Sequence, residues 1–346
     1  MSLPIEPPFP PMEANTRASL PADDGWQYEP KWDGFRCVVF RDGGDVHLQS
    51  KSCKPLERYF PEMVEAVAAL KPKQFVIDAE IVVPVNGRLS FDDLLQRIHP
   101  AESRVRKLAR ETPASLIVFD LLATGAKTDL LARPLADRRP RLEDWTAKYF
   151  HGASSLELSP ATTDLEVAER WLKELTGVDG VVAKRLDQPY VSGERTMVKV
   201  KRMRTADCVV GGFRWSSSSG KGKARALGSL LLGLYDDDGL LHHVGFSSGF
   251  SNQERKDLVA IVEPLMGPPG FTGNAPGGPS RWATERSAEW EPLRHELVVE
   301  IEYDHFTGGR FRHGTRFVRW RPDKAPEQCT FEQIEREGGS IEAIGM

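Results

Sequence analysis

The sequence predicts an α+β protein with two domains: a larger domain of antiparallel sheets and helices at residues 1–203, and a small β-barrel of the OB type at residues 204–346. Three observations support this fold class. The length of 346 residues suits two domains. Strand-like and helix-like stretches alternate with short loops in the first part. After Arg204 the chain consists mostly of short strand-like runs joined by glycine-rich connections.

In the first domain, apolar and β-branched runs predict strands, and amphipathic stretches predict helices. The predicted strands are residues 35–40, 75–85, 116–122, 180–183 and 197–200. The predicted helices are residues 56–70, 103–110, 138–148 and 164–175. Asp164 is a suitable N-cap for the last helix, and Gly177 is a suitable stop.

In the second domain, five runs predict the strands of a Greek-key barrel, at residues 206–213, 227–235, 240–246, 297–303 and 315–320. One helix is predicted at residues 252–262, and a tight turn at residues 236–239. Residues 266–281 form a Gly/Pro-rich connection.

Composition restricts the classes of function. With 40% hydrophobic and 28% charged residues the chain is ordinary for a globular protein, and no apolar run is long enough to span a membrane. The net charge of −4 means that contact with a polyanion must come from local basic patches. A basic n-region typical of secretion is missing, so we expect a cytoplasmic protein. The cysteines lie far apart, which argues against a zinc site and fits a reducing compartment: Cys37, Cys53, Cys208 and Cys329.

The segment Glu-Pro-Lys-Trp-Asp-Gly-Phe-Arg at residues 29–36 is the most informative motif. Its spacing lets an extended segment and a turn present an amine, a carboxylate and a guanidinium to one phosphate-bearing ligand. The lysine, Lys31, can then act as a covalent nucleophile. The alternative is a surface lysine before a hairpin, because Asp-Gly turns are common.

Two further motifs offer groups that suit a nucleotide. Glu80, in Asp-Ala-Glu at residues 78–80, could bind a ribose hydroxyl or a metal ion, or could be only a charge on an edge strand. Phe119, in the dipeptide Phe-Asp, could stack on a base, or could be only a core residue.

Lysines accumulate near the end of the first domain. The segment Asp-Gly-Val-Val-Ala-Lys at residues 179–184 places a carboxylate before a strand and Lys184 at its end. Because side chains alternate along a strand, these groups cannot all share one face, so we expect a buried strand with charged ends at a cleft. Lys199 and Lys201 share one strand face, an arrangement that is costly without an anion between them.

Basic residues also crowd the end of the second domain. Residues 308–324 carry six basic side chains against one acidic residue, Asp323. Such density indicates phosphate contact, the alternative being a solvated surface strand. The six are Arg310, Arg312, Arg316, Arg319, Arg321 and Lys324.

Taken together, these segments resemble the nucleotidyltransferase superfamily of ATP-dependent DNA ligases, RNA ligases and mRNA capping enzymes. Six motifs occur in the family's order: residues 31–36, 78–80, 119–120, 179–184, 199–201 and 316–324. The extension at residues 325–330 is similar to that of DNA ligases rather than capping enzymes. The chain most resembles the short two-domain bacterial ligases of the C type, and it is similar also to the ligase module of the D-type end-joining enzyme.

The resemblance implies a fold and a reaction. The fold is a nucleotidyltransferase, or adenylation, domain followed by an OB-fold domain, with a hinge near residues 203–205. The reaction is ATP-dependent sealing of nicks in duplex DNA during repair or recombination, through an adenylate on Lys31. The nucleotide would be bound by the following residues: Glu29, Lys31, Arg36, Lys51, Glu80, Phe119, Lys184, Lys199, Lys201, Arg321, Asp323 and Lys324.

The resemblance also implies ligands and partners. Asp33, Glu80 and Asp179 would hold Mg²⁺ or Mn²⁺. Nicked duplex DNA is the expected partner of a monomeric enzyme that works at the bacterial nucleoid, and Ku or a primase-polymerase is a partner through family resemblance only. The DNA would be contacted by Lys221, Lys223, Arg225, Arg316 and Arg319.

Three positions depart from the family pattern, and other functions stay open. Lys51 stands where relatives often have arginine, Asp179 replaces a more frequent glutamate, and Met197 stands where an aromatic residue is common. The alternatives are an RNA ligase, a GTP-using capping guanylyltransferase, and a DNA-binding module that never becomes adenylated.

Overall fold

The computed structural model describes residues 2–175, 178–216, 226–277 and 289–335. These residues form two compact units, one extending to Arg202 and the other beginning at Met203. None of the helices in these ranges is long and apolar enough to cross a membrane.

Eleven strands and five helices make up the described part of the first unit. The strands are β1 (Glu13–Thr16), β2 (Trp26–Trp32), β3 (Phe35–Asp42), β4 (Asp45–Ser50), β5 (Gln74–Val82), β6 (Pro84–Val85), β7 (Arg88–Leu89), β8 (Ser115–Thr124), β9 (Leu156–Leu158), β10 (Val178–Arg185) and β11 (Arg195–Lys201). The helices are α1 (Pro61–Ala69), α2 (Phe91–Gln96), α3 (Glu102–Glu111), α4 (Leu135–Tyr149) and α5 (Leu165–Glu174).

Two sheets organise this unit. The first sheet has the strand order β1-β11-β10-β2, and the second has the order β4-β3-β5-β8-β9. Apolar side chains of both sheets pack together between them, among them Val38, Phe40 and Met197. Helices cover the outer faces: α1 and α4 pack on the second sheet, and α5 packs on the first.

The predicted strands and helices of the first unit are found, with differences at their ends. Helix α1 begins at Pro61 rather than at residue 56, because proline is well suited to the first helical turn and disfavours helix in the residue before it. The predicted strand at 75–85 ends at Val82, and the next residues form the short hairpin of β6 and β7. Asp164 caps α5 as predicted, by accepting from the backbone N–H of Glu166. Gly177 lies outside the described residues.

The second unit contains the strands β12 (Arg204–Trp215), β13 (Leu227–Tyr235), β14 (Leu241–Ser247), β15 (Glu291–Pro292), β16 (Val298–Tyr303), β17 (Phe306–Thr307), β18 (Arg310–Phe311) and β19 (Arg316–Trp320). Its helices are α6 (Asn252–Val262) and α7 (Glu332–Glu335). The five predicted long strands and the predicted helix are all present. A Ser251–Glu254 capping box begins α6.

The main sheet of this unit curls back on itself. Its order is β14-β13-β12-β16-β19, and Ser247 at the end of β14 bridges Thr315 just before β19. This bridge brings the two edge strands together at one end, as a small barrel requires. Cys208, Phe213 and Ile301 are among the fully buried residues of the interior.

Candidate active site

A cavity of about 220 Å³ opens between the two sheets of the first unit. Apolar side chains fill the rest of the space between these sheets. Met12 and Met197 belong to that apolar layer and also line the cavity. The predicted site residues that line it are Glu29, Lys31, Arg36, Lys51, Glu80, Phe119, Lys184 and Lys199. Long-range folding thus brings together residues that the sequence separates by up to 170 positions.

Cross-strand rows in the first sheet place the lysines on one wall. Lys31 of β2 pairs with Gly180 of β10, which pairs with Lys201 of β11. In the next row, Val182 lies between Glu29 and Lys199. Burial lowers the pKa of Lys199, and the charges of neighbouring lysines, first Lys31, lower it further. This wall therefore favours an anion.

Asp179 contacts the candidate nucleophile directly. Its Oδ2 lies 2.5 Å from the Nζ atom of Lys31, and both side chains are largely buried. The register of β10 shifts between Val178 and Gly180, and Gly180 has φ of +147°. A Cβ at Gly180 would lie 2.0 Å from the carbonyl oxygen of Val200, so only glycine fits here. Such an irregularity redirects a side chain, and here it accompanies the contact between Asp179 and Lys31.

The Asp33-Gly34 pair carries the chain from one sheet to the other. Strand β2 pairs with β10 in the first sheet, whereas β3 pairs with β4 and β5 in the second. A Cβ at Gly34 would lie 2.2 Å from the carbonyl oxygen of Ile81, so this crossing requires glycine. The structure therefore excludes a hairpin after Lys31, which was the alternative to a functional lysine.

Three buried polar side chains lie together at one end of the cavity. Lys184 donates to Glu29 Oε2 at 2.7 Å, and Gln27 donates to Glu29 Oε1 at 2.8 Å. All three side chains are almost inaccessible to solvent. Buried ionic groups persist only when paired, and this arrangement satisfies both carboxylate oxygens of Glu29.

Phe119 lies on the opposite wall, at a bulge in the second sheet. The register between β5 and β8 pairs Asp78 with Asp120 and Ala79 with Val118, which leaves Phe119 as the extra residue. The Arg36 guanidinium lies 4.6 Å from the ring centroid, and Lys184 Nζ lies 4.8 Å from it. An aromatic face that attracts cations also suits stacking with a base.

A network that the sequence analysis missed holds Arg36. The guanidinium makes two 2.6 Å hydrogen bonds to Asp78, which is fully buried. Tyr190 donates its hydroxyl to Asp78 at 2.5 Å and accepts the backbone N–H of Met12 at 2.9 Å. The only signal in the sequence was the presence of Asp78 within a motif already noted for Glu80.

Glu80 and two aspartates supply carboxylates near Lys31. Burial raises the pKa of Glu80 to about 8, although Arg36 and Lys31 act in the opposite direction. Carboxylate oxygens of Asp33 and Asp179 lie within 4.8 Å of one another. Oxygen donors so placed suit Mg²⁺ or Mn²⁺, and this pair fits a divalent ion.

Lys51 lies at the cavity's outer edge. It is more than half exposed and donates to Glu13 at 2.9 Å, a contact that is the main cause of the lowered pKa of Glu13. Arg195 also approaches Glu13, at 3.5 Å. The pairing of Lys51 with Glu13 was not predicted.

The remaining predicted residues belong to the second unit. Arg321 and Lys324 both bind Asp207, and Arg321 also binds Asp323. The Arg321 contact lowers the pKa of Asp323 to about 2. Lys221, Lys223 and Arg225 lie outside the described residues.

The two arginines predicted to contact DNA form ion pairs with the neighbouring strand. Arg316 binds Glu302, and Arg319 binds Glu300 at 2.6 Å. Both arginines are mostly exposed, and ion pairs of this kind contribute at most about 1 kcal/mol, so an arriving phosphate can replace the carboxylate.

Two family models match the chain. The model of the ATP dependent DNA ligase domain matches residues 12–201, and that of the ATP dependent DNA ligase C terminal region matches residues 223–324. The chain belongs to the ATP-dependent DNA ligase family. The predictions of an ATP-dependent DNA ligase, and of its similarity to the short C-type bacterial enzymes, are both confirmed.

Two relatives of the ligase match it over nearly their whole length. DNA ligase C2 of Mycolicibacterium smegmatis and DNA ligase C of Mycobacterium tuberculosis are each 45% identical to it over 351 aligned positions. These alignments cover 97% of the ligase and 96% of each relative. A solved structure of a Lig E DNA ligase shares the fold, with a TM-score of 0.50 at 16% identity over 90% of the ligase and 99% of that chain. The predicted α+β fold class, a nucleotidyltransferase domain followed by an OB-fold domain, is confirmed.

Proposed function

We propose that the ligase seals nicks between a 5′-phosphate and a 3′-hydroxyl in duplex DNA, as a step of DNA repair, through a covalent adenylate on Lys31. The observation that carries this proposal is the position of Lys31. Its amine lies at a cavity that offers an aromatic ring on one wall and a row of lysines on the other. Residues 1–203 would be the adenylation domain and residues 204–346 the OB-fold domain.

The reaction would proceed in three transfers. In the first, the Lys31 amine loses a proton and forms a bond to the α-phosphorus of ATP, while the bond from that phosphorus to pyrophosphate breaks. In the second, the adenylate passes from the lysine to the 5′-phosphate of the nick. In the third, the 3′-hydroxyl attacks that phosphate, AMP leaves, and the strand is sealed.

Residues of the cavity would divide the work of binding ATP. Phe119 would stack on adenine, with Glu29 and Lys184 at the polar edge of the base. Glu80 would contact the ribose, and Arg36 and Lys51 would contact the ribose or the phosphates. The α-phosphate would lie against the lysine wall, which is formed by Lys199 and Lys201 in the first sheet.

The lysine wall would also assist the transfer itself. Cations such as Lys199 and Lys201 would stabilise negative charge on the phosphate being transferred. Asp33 and Asp179, with Glu80 nearby, would hold Mg²⁺ or Mn²⁺, which when bound would neutralise phosphate charge.

The second unit would contribute to both the nucleotide and the DNA. Arg321, Asp323 and Lys324 would orient the pyrophosphate that leaves during adenylation. Arg316 and Arg319 would contact the DNA backbone, as would three residues of the loop at 221–225, namely Lys221, Lys223 and Arg225. We further propose that the ligase acts as a monomer in the bacterial cytoplasm, on nucleoid DNA. Cooperation with Ku or a primase-polymerase is proposed on family resemblance.

The test is labelling of the purified protein with α-³²P-ATP or α-³²P-GTP and Mg²⁺, followed by a denaturing gel. We expect a covalent label from ATP that nicked duplex DNA removes while a sealed strand appears. Label from GTP would instead indicate a capping guanylyltransferase, and discharge on nicked RNA alone would indicate an RNA ligase. Folded protein that binds nicks but takes no label would be a DNA-binding module.

A further inference from the structure

We propose that Asp207 is a positioning residue for enzyme adenylation, because it fixes the two cations of the last motif, Arg321 and Lys324, in the orientation that meets pyrophosphate. This inference rests on the proposed function. The contacts that support it lie entirely within the second unit.

The Asp207 carboxylate is the point where the two cations converge. Both of its oxygens lie 3.0 Å from Arg321 Nη1, and its Oδ2 lies 2.8 Å from Lys324 Nζ. All three side chains are largely shielded from solvent, with exposed fractions of 13% for Asp207, 20% for Arg321 and 22% for Lys324. Two cations held by one carboxylate present their positive heads to the same small region.

Asp207 is itself held rigidly by the backbone. It lies in β12 opposite Glu300 of β16, so its main chain belongs to the central ladder of the sheet. The Gln333 side chain of α7 accepts the backbone N–H of Asp207 and donates to its carbonyl oxygen, both at 2.9 Å. A carboxylate on so fixed a backbone is a good anchor for flexible partners.

The two cations need an anchor because they follow the end of β19. Arg321 donates its backbone N–H to Val298, and Lys324 donates its own to the carbonyl of Arg321, so the segment forms a turn. A long basic side chain loses rotamer entropy when it is ordered. Asp207 carries out that ordering before the pyrophosphate forms, which is the basis of electrostatic preorganisation.

The same geometry suggests a division of labour between the two cations. The donor nitrogens of Arg321 face carboxylates, Nη1 toward Asp207 and both Nε and Nη2 toward Asp323. Lys324 carries three N–H donors, and the contact with Asp207 uses one of them. Lys324 would therefore make a closer contact with pyrophosphate than Arg321.

The first experiment compares Asp207→Asn with the wild-type enzyme in three separate assays. These are adenylation by labelled ATP, reversal of the enzyme adenylate by added pyrophosphate, and sealing of nicks that are already adenylated. We expect the first two rates to fall by the same factor, roughly 10- to 100-fold, which is the usual effect of losing hydrogen bonds to charged groups. Sealing of adenylated nicks should stay within about twofold of wild type, the size of an ordinary surface substitution effect.

Control variants separate positioning from folding. Asp238→Asn, an exposed aspartate in the turn after β13, should leave all three rates unchanged. Asp207→Glu keeps the charge and should recover part of the lost adenylation. Gln333→Ala leaves the carboxylate in place but loosens its backbone, and it should produce a smaller loss in the same two assays. This variant keeps the proposal testable if Asp207→Asn does not fold.

Several outcomes would overturn the inference. The first is faster adenylation by Asp207→Asn, which would make Asp207 a competitor of pyrophosphate. The second is an unchanged adenylation rate in both Asp207→Asn and Gln333→Ala. The third is an equal loss of rate in all three assays. If the wild-type enzyme itself takes no label from ATP, it is the proposed function that fails, so the two failures can be told apart.

Discussion

The Nζ atom of Lys31 lies 2.5 Å from Oδ2 of Asp179, beside an irregularity in β10 that centres on Gly180. The pair joins the proposed nucleophile to one of the two aspartates that fit a divalent ion. Attack by this amine on a bound nucleotide would therefore require the contact with Asp179 to open.

Lys31→Ala should abolish adenylation, because it removes the amine that would form the bond to the α-phosphorus. The measurement is covalent label from α-³²P-ATP. Lys173→Ala, at an exposed position on α5, is the matched control and should label normally. A Lys31→Ala protein that still forms the labelled adenylate would rule out Lys31 as the nucleophile.

Asp179→Asn should slow adenylation at least about 10-fold, the loss typical of groups that only orient metal ligands. The amide keeps the shape of the side chain but loses the charge that binds a divalent ion, so the Mg²⁺ concentration for half-maximal labelling should rise. Asp187→Asn, exposed and paired with Arg185, is the control. An unchanged Mg²⁺ dependence would remove Asp179 from the proposed metal site.

Glu80→Gln should change the pH dependence of stability. The folded protein raises the pKa of Glu80 from 4.5 to about 8, so its contribution to stability is fully present below pH 4.5 and is lost as the pH rises through 8. Without nucleotide or metal, the melting temperature of the variant should therefore exceed that of the wild type at pH 8.5. The expected increase is about 2–4 °C for each kcal/mol of folding free energy that the ionised Glu80 carboxylate costs the wild type. Near pH 5 the two melting temperatures should converge. A constant difference across this range would contradict the raised pKa.

Tyr190→Phe should lower the free energy of unfolding by about 1–3 kcal/mol, the cost of leaving buried polar groups unsatisfied. The hydroxyl donates to Asp78 and accepts from Met12, so its loss affects both groups. Urea unfolding measures the effect, with Tyr149→Phe as the control outside this network. Because Asp78 holds Arg36, KM for ATP should also rise in Tyr190→Phe. Normal stability together with normal KM would show that the network is dispensable.

A double substitution, Asp323→Ala with Lys324→Ala, should impair adenylation far more than sealing of nicks that are already adenylated. These residues are proposed to orient pyrophosphate, which leaves only in the first transfer. Rates of both steps, measured in separate single-turnover assays, provide the comparison. Equal losses would refute a role confined to adenylation.

Local patterns in the sequence were sufficient for much of the fold. Apolar runs gave the long strands of both units, and the five strands and one helix of the second unit match the prediction closely. Cap chemistry also predicted the start of α5 correctly, at Asp164. The misplaced start of α1 shows the limit, because a helical pattern was extended through residues before Pro61 that proline disfavours in a helix.

Pairings between distant residues were beyond the reach of such patterns. Asp78 meets Tyr190 across 112 positions and Asp207 meets Arg321 across 114, and no spacing rule links either pair. The irregularities at Phe119 and Asp179 arise from sheet register, which depends on the partner strand. The motifs predicted which residues would gather, whereas the contacts that orient them emerge only from the folded chain.

One part of the cavity wall is flexible and another part is fixed by hydrogen bonds, and this difference affects how the enzyme would select among nucleotides. Met12 and Met197 give part of the wall a flexible, polarisable surface that adapts to rings of different outline. A surface of this kind discriminates poorly by shape. Glu29, Lys184 and Gln27 are buried and bonded to one another, so they cannot rearrange freely for a mismatched base. Rejection of the wrong purine would then depend on hydrogen-bonding complementarity at the edge of the base, with little contribution from steric exclusion.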